Sequence, residues 1–243
     1  MKVILDKIGS ATRNAKLPRE VLLSEDIKAE EGMVLAVRIH GTKTVYNTLE
    51  DVHGRMIGIN DGDIIAGVLG SRRALRGYAG AVPKSIKVGD MLDVLNLGGV
   101  LGKCTSVNIE IGRPLQAEVL GQVLTFPYLG ERDGVPASIR ANAVPWATKL
   151  DRSAPIVYVA GTCMNAGKTF ACGEIIRYLA KKGYRVGAAK LTGVSLLRDT
   201  MSMVDRGAIK GLSFTDAGVV STTGAVSVPV AKGLINALNK EEL

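Results

Sequence analysis

Residues 161–169 read Gly-Thr-Cys-Met-Asn-Ala-Gly-Lys-Thr, and these types at this spacing suit the binding of a polyphosphate. An apolar run, Pro155-Ile-Val-Tyr-Val-Ala160, precedes them, and a helix-like stretch from Lys168 to Lys182 follows. A buried strand, a glycine-rich turn and a helix, in that order, form the setting that a phosphate-binding loop requires. The first amide N–H groups of a helix have no internal partners. A loop folded over them can therefore cradle phosphate oxygens while the helix dipole adds positive charge. On this reading the candidate nucleotide-binding residues are Gly161, Thr162, Cys163, Met164, Asn165, Ala166, Gly167, Lys168, Thr169 and Phe170. Gly167 permits close backbone approach, Lys168 supplies a mobile cation, and the Thr169 hydroxyl is a candidate ligand for Mg²⁺.

The loop departs from the common form G-x-x-x-x-G-K-[ST], because Thr162 stands where the first glycine is expected and Gly161 lies one residue earlier. In the form G-T-x-x-x-x-G-K-T it resembles the loop of dethiobiotin synthetase and the cobyrinic acid amide synthases, P-loop proteins of the signal-recognition/MinD-like class. Metallochaperone GTPases and molybdopterin-guanine dinucleotide adaptor proteins are similar at the level of that broad class. A second element strengthens the likeness. In the dethiobiotin synthetase branch, the strand after the first helix ends in a Lys-Pro-Val-x-x-Gly motif whose lysine lies in the substrate site. Lys190-Leu-Thr-Gly193, at the end of the run from Arg185, resembles a shortened form without the proline.

The resemblance implies that Lys190 is catalytic beside Lys168, emerging at the carboxyl end of its strand, where open α/β sheets place ligands. Taken by itself, Lys190 also reads as a solvated strand-end lysine. The resemblance further implies an aspartate near the Mg²⁺. Asp199, Asp205 and Asp216 are the candidates beside Thr169, with Asp205 nearest to the family spacing and the choice among them open. Each also reads as a surface aspartate or a helix cap. The implied activity is that of an ATP- or GTP-dependent, Mg²⁺-requiring ligase or phosphoryl-transfer enzyme. Such an enzyme phosphorylates a small carboxylic acid before an amine or ammonia attacks it. The alternative is a nucleotide-switch NTPase, or an adaptor delivering a cofactor or metal, whose β-domain grips a partner. Many relatives work as dimers, so a homodimer is a further expectation.

The elements that position these residues follow from the pattern. Before residue 142, short apolar runs alternate with Gly, Asp and Asn turns, among them Met33–His40, Asp63–Leu69, Met91–Leu95 and Ala117–Leu124. Such spacing, with turns at Asn60-Asp-Gly62 and Val88-Gly-Asp90, predicts a β-barrel or sandwich. After Pro155, helical and extended patterns alternate, which predicts a parallel α/β sheet. The expected fold is therefore an α/β P-loop nucleotide-binding domain at 155–243, preceded by an all-β, barrel-like domain at 1–142. A polar linker at 143–154 joins them, carrying the lone Trp146 as an anchor against one domain. Phe170, Ile175, Ile176 and Leu179 predict one apolar face on the first helix, and Val230, Leu234, Ile235 and Leu238 another on the last. A Walker B strand is expected after that last helix. The chain stops at Leu243 without one, so the parallel sheet is expected to be incomplete.

Composition narrows the classes. The 243 residues are 47% hydrophobic, enough for real cores. A net charge of +8 fits an anionic ligand, but aromatics are only 4% and the basic residues are dispersed, so nucleic acid is not the expected partner. The most basic stretch, Gly70–Gly80, carries Arg72, Arg73 and Arg76, which read either as an anion grip or as a solvated turn. His40 and His53 share no metal-ligand spacing and read as ordinary β-domain residues. Three cysteines without a C-x-x-C pair, Cys104, Cys163 and Cys172, predict a reducing cytoplasm and no disulfide framework. Cys163 in the phosphate loop is the candidate reactive thiol. The N-terminus has no signal-peptide pattern, and no apolar run approaches the roughly 20 residues of a membrane span, so no membrane partner is expected.

Overall fold

The computed structural model describes residues 1–74, 77–128, 130, 132–163 and 166–241. It is a mixed, sheet-rich α/β fold built on one large sheet. The strands of that sheet are β1 (Lys2–Ile4), β2 (Lys7–Ile8), β3 (Glu20–Ser24), β4 (Val34–His40), β7 (Ile64–Leu69), β8 (Ala79–Ala81), β9 (Met91–Val94), β10 (Val100–Ser106), β11 (Gln116–Thr125) and β12 (Val135–Pro136). A separate hairpin joins β5 (Thr48–Glu50) to β6 (Met56–Gly58). The main ladder runs β1-β3-β11-β4-β7-β10-β8, and β9 pairs with both β10 and β11. The pairings therefore return on themselves through β11, β4, β7, β10 and β9.

Alternation along these strands sorts the side chains into two cores, as a period of two requires. Val34 and Ala36 of β4 join Ala66 and Val68 of β7 in one apolar cluster, whereas Leu35, Val37, Ile39, Ile65 and Leu69 enter the other. The second cluster also takes Leu92, Val94, Leu101, Ala117 and Val119, so β4, β7, β9, β10 and β11 all contribute to it. The first cluster is roofed by Leu5, Ala11 and Ala15. Both faces of β4 and β7 are covered, and for this reason their apolar runs are nearly continuous.

The second part contains α1 (Lys168–Lys181), β13 (Gly187–Lys190), α2 (Arg198–Asp205), β14 (Lys210–Ser213) and α3 (Gly224–Asn239). β13 and β14 pair in parallel, from Gly187↔Lys210 to Lys190↔Ser213. Ala188 packs on one side with Ile176, Met203 and Ala208, while Leu212 and Ala189 pack on the other with Val230, Leu234 and Leu238. The two short strands are thus sandwiched between α1/α2 and α3. The linker lies along this part: Val144 N–H donates to the Asp216 carbonyl at 2.7 Å, and Trp146 Nε1 donates to the Ala217 carbonyl at 2.7 Å.

Two expectations need correction. Pro155–Ala160 belongs to no strand among the described residues, and Ile156, Val157 and Tyr158 are 53%, 64% and 74% exposed. A parallel strand is stable only with ladder partners and apolar cover on both faces. This segment instead faces β13 across a cleft. On α1, Ile176 is buried but Ile175 and Leu179 are only half-buried, and Phe170 is 66% exposed. The helix packs chiefly on α2, where Gly173 lies under the Arg206 side chain, rather than laying its whole apolar face on a wide sheet.

The two parts meet at a polar seam. Glu50, fully buried, accepts from Leu197 N–H at 2.6 Å and Arg198 N–H at 2.8 Å, the first amides of α2, and from the Ser10 hydroxyl. In the same 3₁₀ turn as Ser10, Arg13 pairs with Asp216 at 2.7 Å, and Asn14 donates to the Thr215 carbonyl at 2.8 Å. Gly98 passes so close to the Ser195 carbonyl that a side chain there would collide with it.

Replacing Glu50 by Ala strands two amides and a hydroxyl in this seam. At about 1–3 kcal/mol per unsatisfied buried group, we expect Glu50→Ala to lose roughly 3 kcal/mol. Glu50→Gln, which keeps the shape and one carbonyl acceptor, should lose less. Urea unfolding measures both, and a Glu50→Ala midpoint equal to the wild type would contradict the seam as described.

Candidate functional site

α1 opens directly from the glycine-rich loop, and Gly167 sets its start. Gly167 has φ +83°, a left-handed conformation that a side chain would strain, and its carbonyl accepts from Ala171 N–H at 2.9 Å. Lys168 then folds back across the loop, so that its Nζ donates to the Cys163 carbonyl at 2.5 Å and its stem lies against Gly161. The lysine thus clasps the turn through a carbonyl, a neutral acceptor that an anion would outcompete. Thr169, in the exposed first turn of α1, makes no side-chain hydrogen bond among the described residues. Gly161, Thr162, Cys163, Ala166 and Gly167 form an exposed rim; Met164 and Asn165 lie outside the described residues.

Beside this rim is a cleft of about 260 Å³. Lys168, Thr169 and Cys172 of α1, Lys190, Leu191 and Thr192 at the end of β13, and the extended segment Pro155–Val159 line it. The structure therefore brings Lys168, Thr169 and Lys190 to one cavity. Phe170, counted among the candidate nucleotide residues, is not in its lining and points to solvent.

Lys190 is not a solvated strand-end lysine. Its Nζ forms an ion pair with Asp199 and donates to the Val194 carbonyl at 2.8 Å. Gly193, at φ +120°, makes this turn possible: its left-handed backbone folds the loop over Lys190, and a built side chain would come within 3.2 Å of the lysine Cε. Asp199 also sits in the first turn of α2, where a negative charge suits the helix dipole.

The three aspartates are thus separated. Asp199 is held by Lys190. Asp216 is turned into the seam, where it receives Arg13 and accepts from Ser213 N–H at 2.7 Å, so it is committed to joining the two parts. Asp205 is the exposed last residue of α2, next to the start of the following strand. β13 and β14 are parallel and α2 runs back between them, so Asp205 lies at the end of the layer opposite Lys190. None of the three lines the cleft, and Asp199 touches it only through its ion pair with Lys190.

A resident metal does not fit: the described residues include no group of three or more His, Cys, Asp or Glu placed to hold one. The donor set does fit Mg²⁺ arriving with a nucleotide, since that ion takes one or two protein oxygens and completes its shell with phosphates and water. Thr169 would supply the hydroxyl, while Asp199, the candidate carboxylate nearest the cleft, is taken up by Lys190.

Sequence reading missed Glu50, which fixes the start of α2, and Arg13 and Asn14, which hold the end of β14 and the turn after it. Glu50 carries no usable signal, since in Thr48-Leu49-Glu50 it falls on the polar side of the alternation and its burial depends on distant partners. Of the histidines, His40 contacts Glu118 at 3.0 Å, a surface contact that holds the Glu118 carboxyl below its ordinary range.

The cysteines are free. Burial pushes the Cys172 thiol up, and burial together with Asp93 pushes up Cys104. A raised pKa keeps a thiol protonated near neutral pH and starves it of reactive thiolate. Cys163 is exposed and should be alkylated by iodoacetamide first at pH 7.5, with Cys172 and Cys104 catching up as the pH rises. Peptide mass spectrometry gives the order, and labelling of Cys172 before Cys163 would contradict this arrangement.

A scan against protein-family models found no match to the chain, and searches of curated proteins and of solved structures likewise matched nothing.

Proposed function

We propose that this protein binds ATP or GTP with Mg²⁺ through the loop 161–169 and uses it to phosphorylate a small carboxylic acid, as an NTP-dependent ligase or phosphoryl-transfer enzyme. The observation that carries this reading is the meeting of Lys168, Thr169 and Lys190 in one cleft at the head of α1. The unpartnered Thr169 hydroxyl and the amides at the α1 start supply a phosphate cradle. Lys168, freed from the Cys163 carbonyl, balances charge on the transferring phosphoryl group, and Lys190 orients the acceptor acid. The circuit of strands in the first part supports its reading as a barrel. No helix among the described residues is long and apolar enough to cross a membrane. The three free thiols fit a reducing, cytoplasmic setting.

A second reading, a nucleotide switch or a cofactor- or metal-delivering adaptor, is favoured by one observation. Glu50 of the β-rich part holds the first amides of α2, the helix that carries Asp199. Any rearrangement of Lys190 and Asp199 around a γ-phosphate would thereby be felt in the β-rich part.

Steady-state NTP hydrolysis separates the two. An enzyme should show hydrolysis raised at least about tenfold by one acid in a panel of small carboxylates, with the stimulation lost in Lys190→Ala. Hydrolysis that stays slow with every acid, and that Lys190→Ala leaves unaltered, would count against the ligase reading and leave the switch.

A further inference from the structure

The turn that follows Lys190 is a wall between two cavities. Lys190, Leu191 and Thr192 line the cleft at the head of α1, and the next three residues, Gly193, Val194 and Ser195, line a larger cavity of about 650 Å³ on the far side. This second cavity opens between the β-rich part and the α/β part. Its other walls are Ser71, Arg72 and Arg73 after β7, and Ser221–Gly224 at the start of α3. Its size is that of a small-molecule site.

Apart from one oxygen of Glu31, the unspent charged groups and amides of its walls are cationic or hydrogen-bond donors. Arg73 is exposed and has no hydrogen-bond or ion-pair partner among the described residues. Arg72 gives one nitrogen to the Tyr46 hydroxyl, at 2.8 Å, and to the Leu95 carbonyl, and lies over the Tyr46 ring, yet its buried Nε has no hydrogen-bond partner among the described residues. The 16-residue α3 starts at Gly224 with no side-chain cap from Thr223, so its leading amides face the cavity uncapped. By contrast, the hydroxyl of Ser195 is taken by Thr215 at 2.6 Å, and the side-chain oxygen of Asn96 by Gly98 and Val100 N–H. Glu31 is the one acidic side chain in the lining, and one of its oxygens is held by Ser71 N–H at 2.7 Å. Two arginines against one glutamate leave the walls net positive. Val100, Val194 and Val220 add an apolar strip.

We propose that this cavity between the two parts binds a small dicarboxylic acid. One carboxylate is gripped by Arg73 and the uncapped start of α3, the carbon chain lies on the valine strip, and the second carboxylate faces the Gly193–Val194 turn. Arginine forks match carboxylate geometry, and a helix start favours an anion. The valine strip selects a carbon-chain acid over inorganic phosphate. The role of this acid as phosphoryl acceptor rests on the function proposed above. Its binding does not, because the walls of the cavity contain none of the residues 161–169.

The test is isothermal titration of succinate into the full, nucleotide-free chain at low salt, so a phosphate loop that binds nothing leaves the readout intact. Wild type should bind succinate and not the neutral succinamide. Arg73→Ala should weaken binding at least about tenfold, the loss of one charge-assisted contact. Arg73 is exposed and makes no hydrogen bond or ion pair among the described residues, so the thermal midpoint of that variant should match the wild type. Equal succinate affinity in wild type and Arg73→Ala, no binding to wild type, or displacement of bound succinate by an equal concentration of inorganic phosphate would each overturn the assignment.

Discussion

A buried carboxylate governs how this molecule is arranged. Glu50 is fully buried, and a buried carboxyl group left without partners costs several kcal/mol. Three donors offset that cost: the Ser10 hydroxyl and the first two amides of α2. Those amides belong to a helix of only eight residues, too short to be stable alone, whose start would otherwise be uncapped. Each side thus supplies what the other lacks, and the hairpin β5–β6, the 3₁₀ turn at Ser10–Ala15 and α2 are positioned together.

The consequences reach the candidate site through α2. Its first turn carries Asp199, which holds Lys190, which in turn holds the Val194 carbonyl. The turn from Leu191 to Leu197 is therefore tied at both ends, by an ion pair at one and by Glu50 at the other. It becomes the wall between the cleft of Lys168 and the cavity of Arg72 and Arg73. Arg13 and Asp216 make a second tie across the seam, which explains why an aspartate in a ligand-like stretch is spent on structure.

Much of this was legible in the chain because it depends on local periodicity. The alternation in Met33–His40 and Asp63–Leu69 marks strands, and Val230, Leu234 and Leu238 mark the buried stripe of α3. The start of α1 at Gly167 and the placement of Lys190 at the end of a strand are likewise local. What was not legible depends on partners far along the chain. Pro155–Ala160 has the composition of a buried strand but no ladder among the described residues, and composition carries no information about neighbours. Asp216 meets Arg13, 203 positions away, and Glu50 meets Leu197 and Arg198 nearly 150 positions away. No spacing rule reaches that far. Phe170 failed for a related reason: helical spacing says which residues share a face, not whether anything covers it.

The most direct measurement of the central claim is calorimetric titration of Mg-ATP and of Mg-GTP into the full chain and into Lys168→Ala. The account predicts micromolar binding of one of the two nucleotides, abolished when the Lys168 ammonium is removed. Absence of binding to the wild type, or equal binding by Lys168→Ala, would contradict the assignment of residues 161–169 as a phosphate-binding loop.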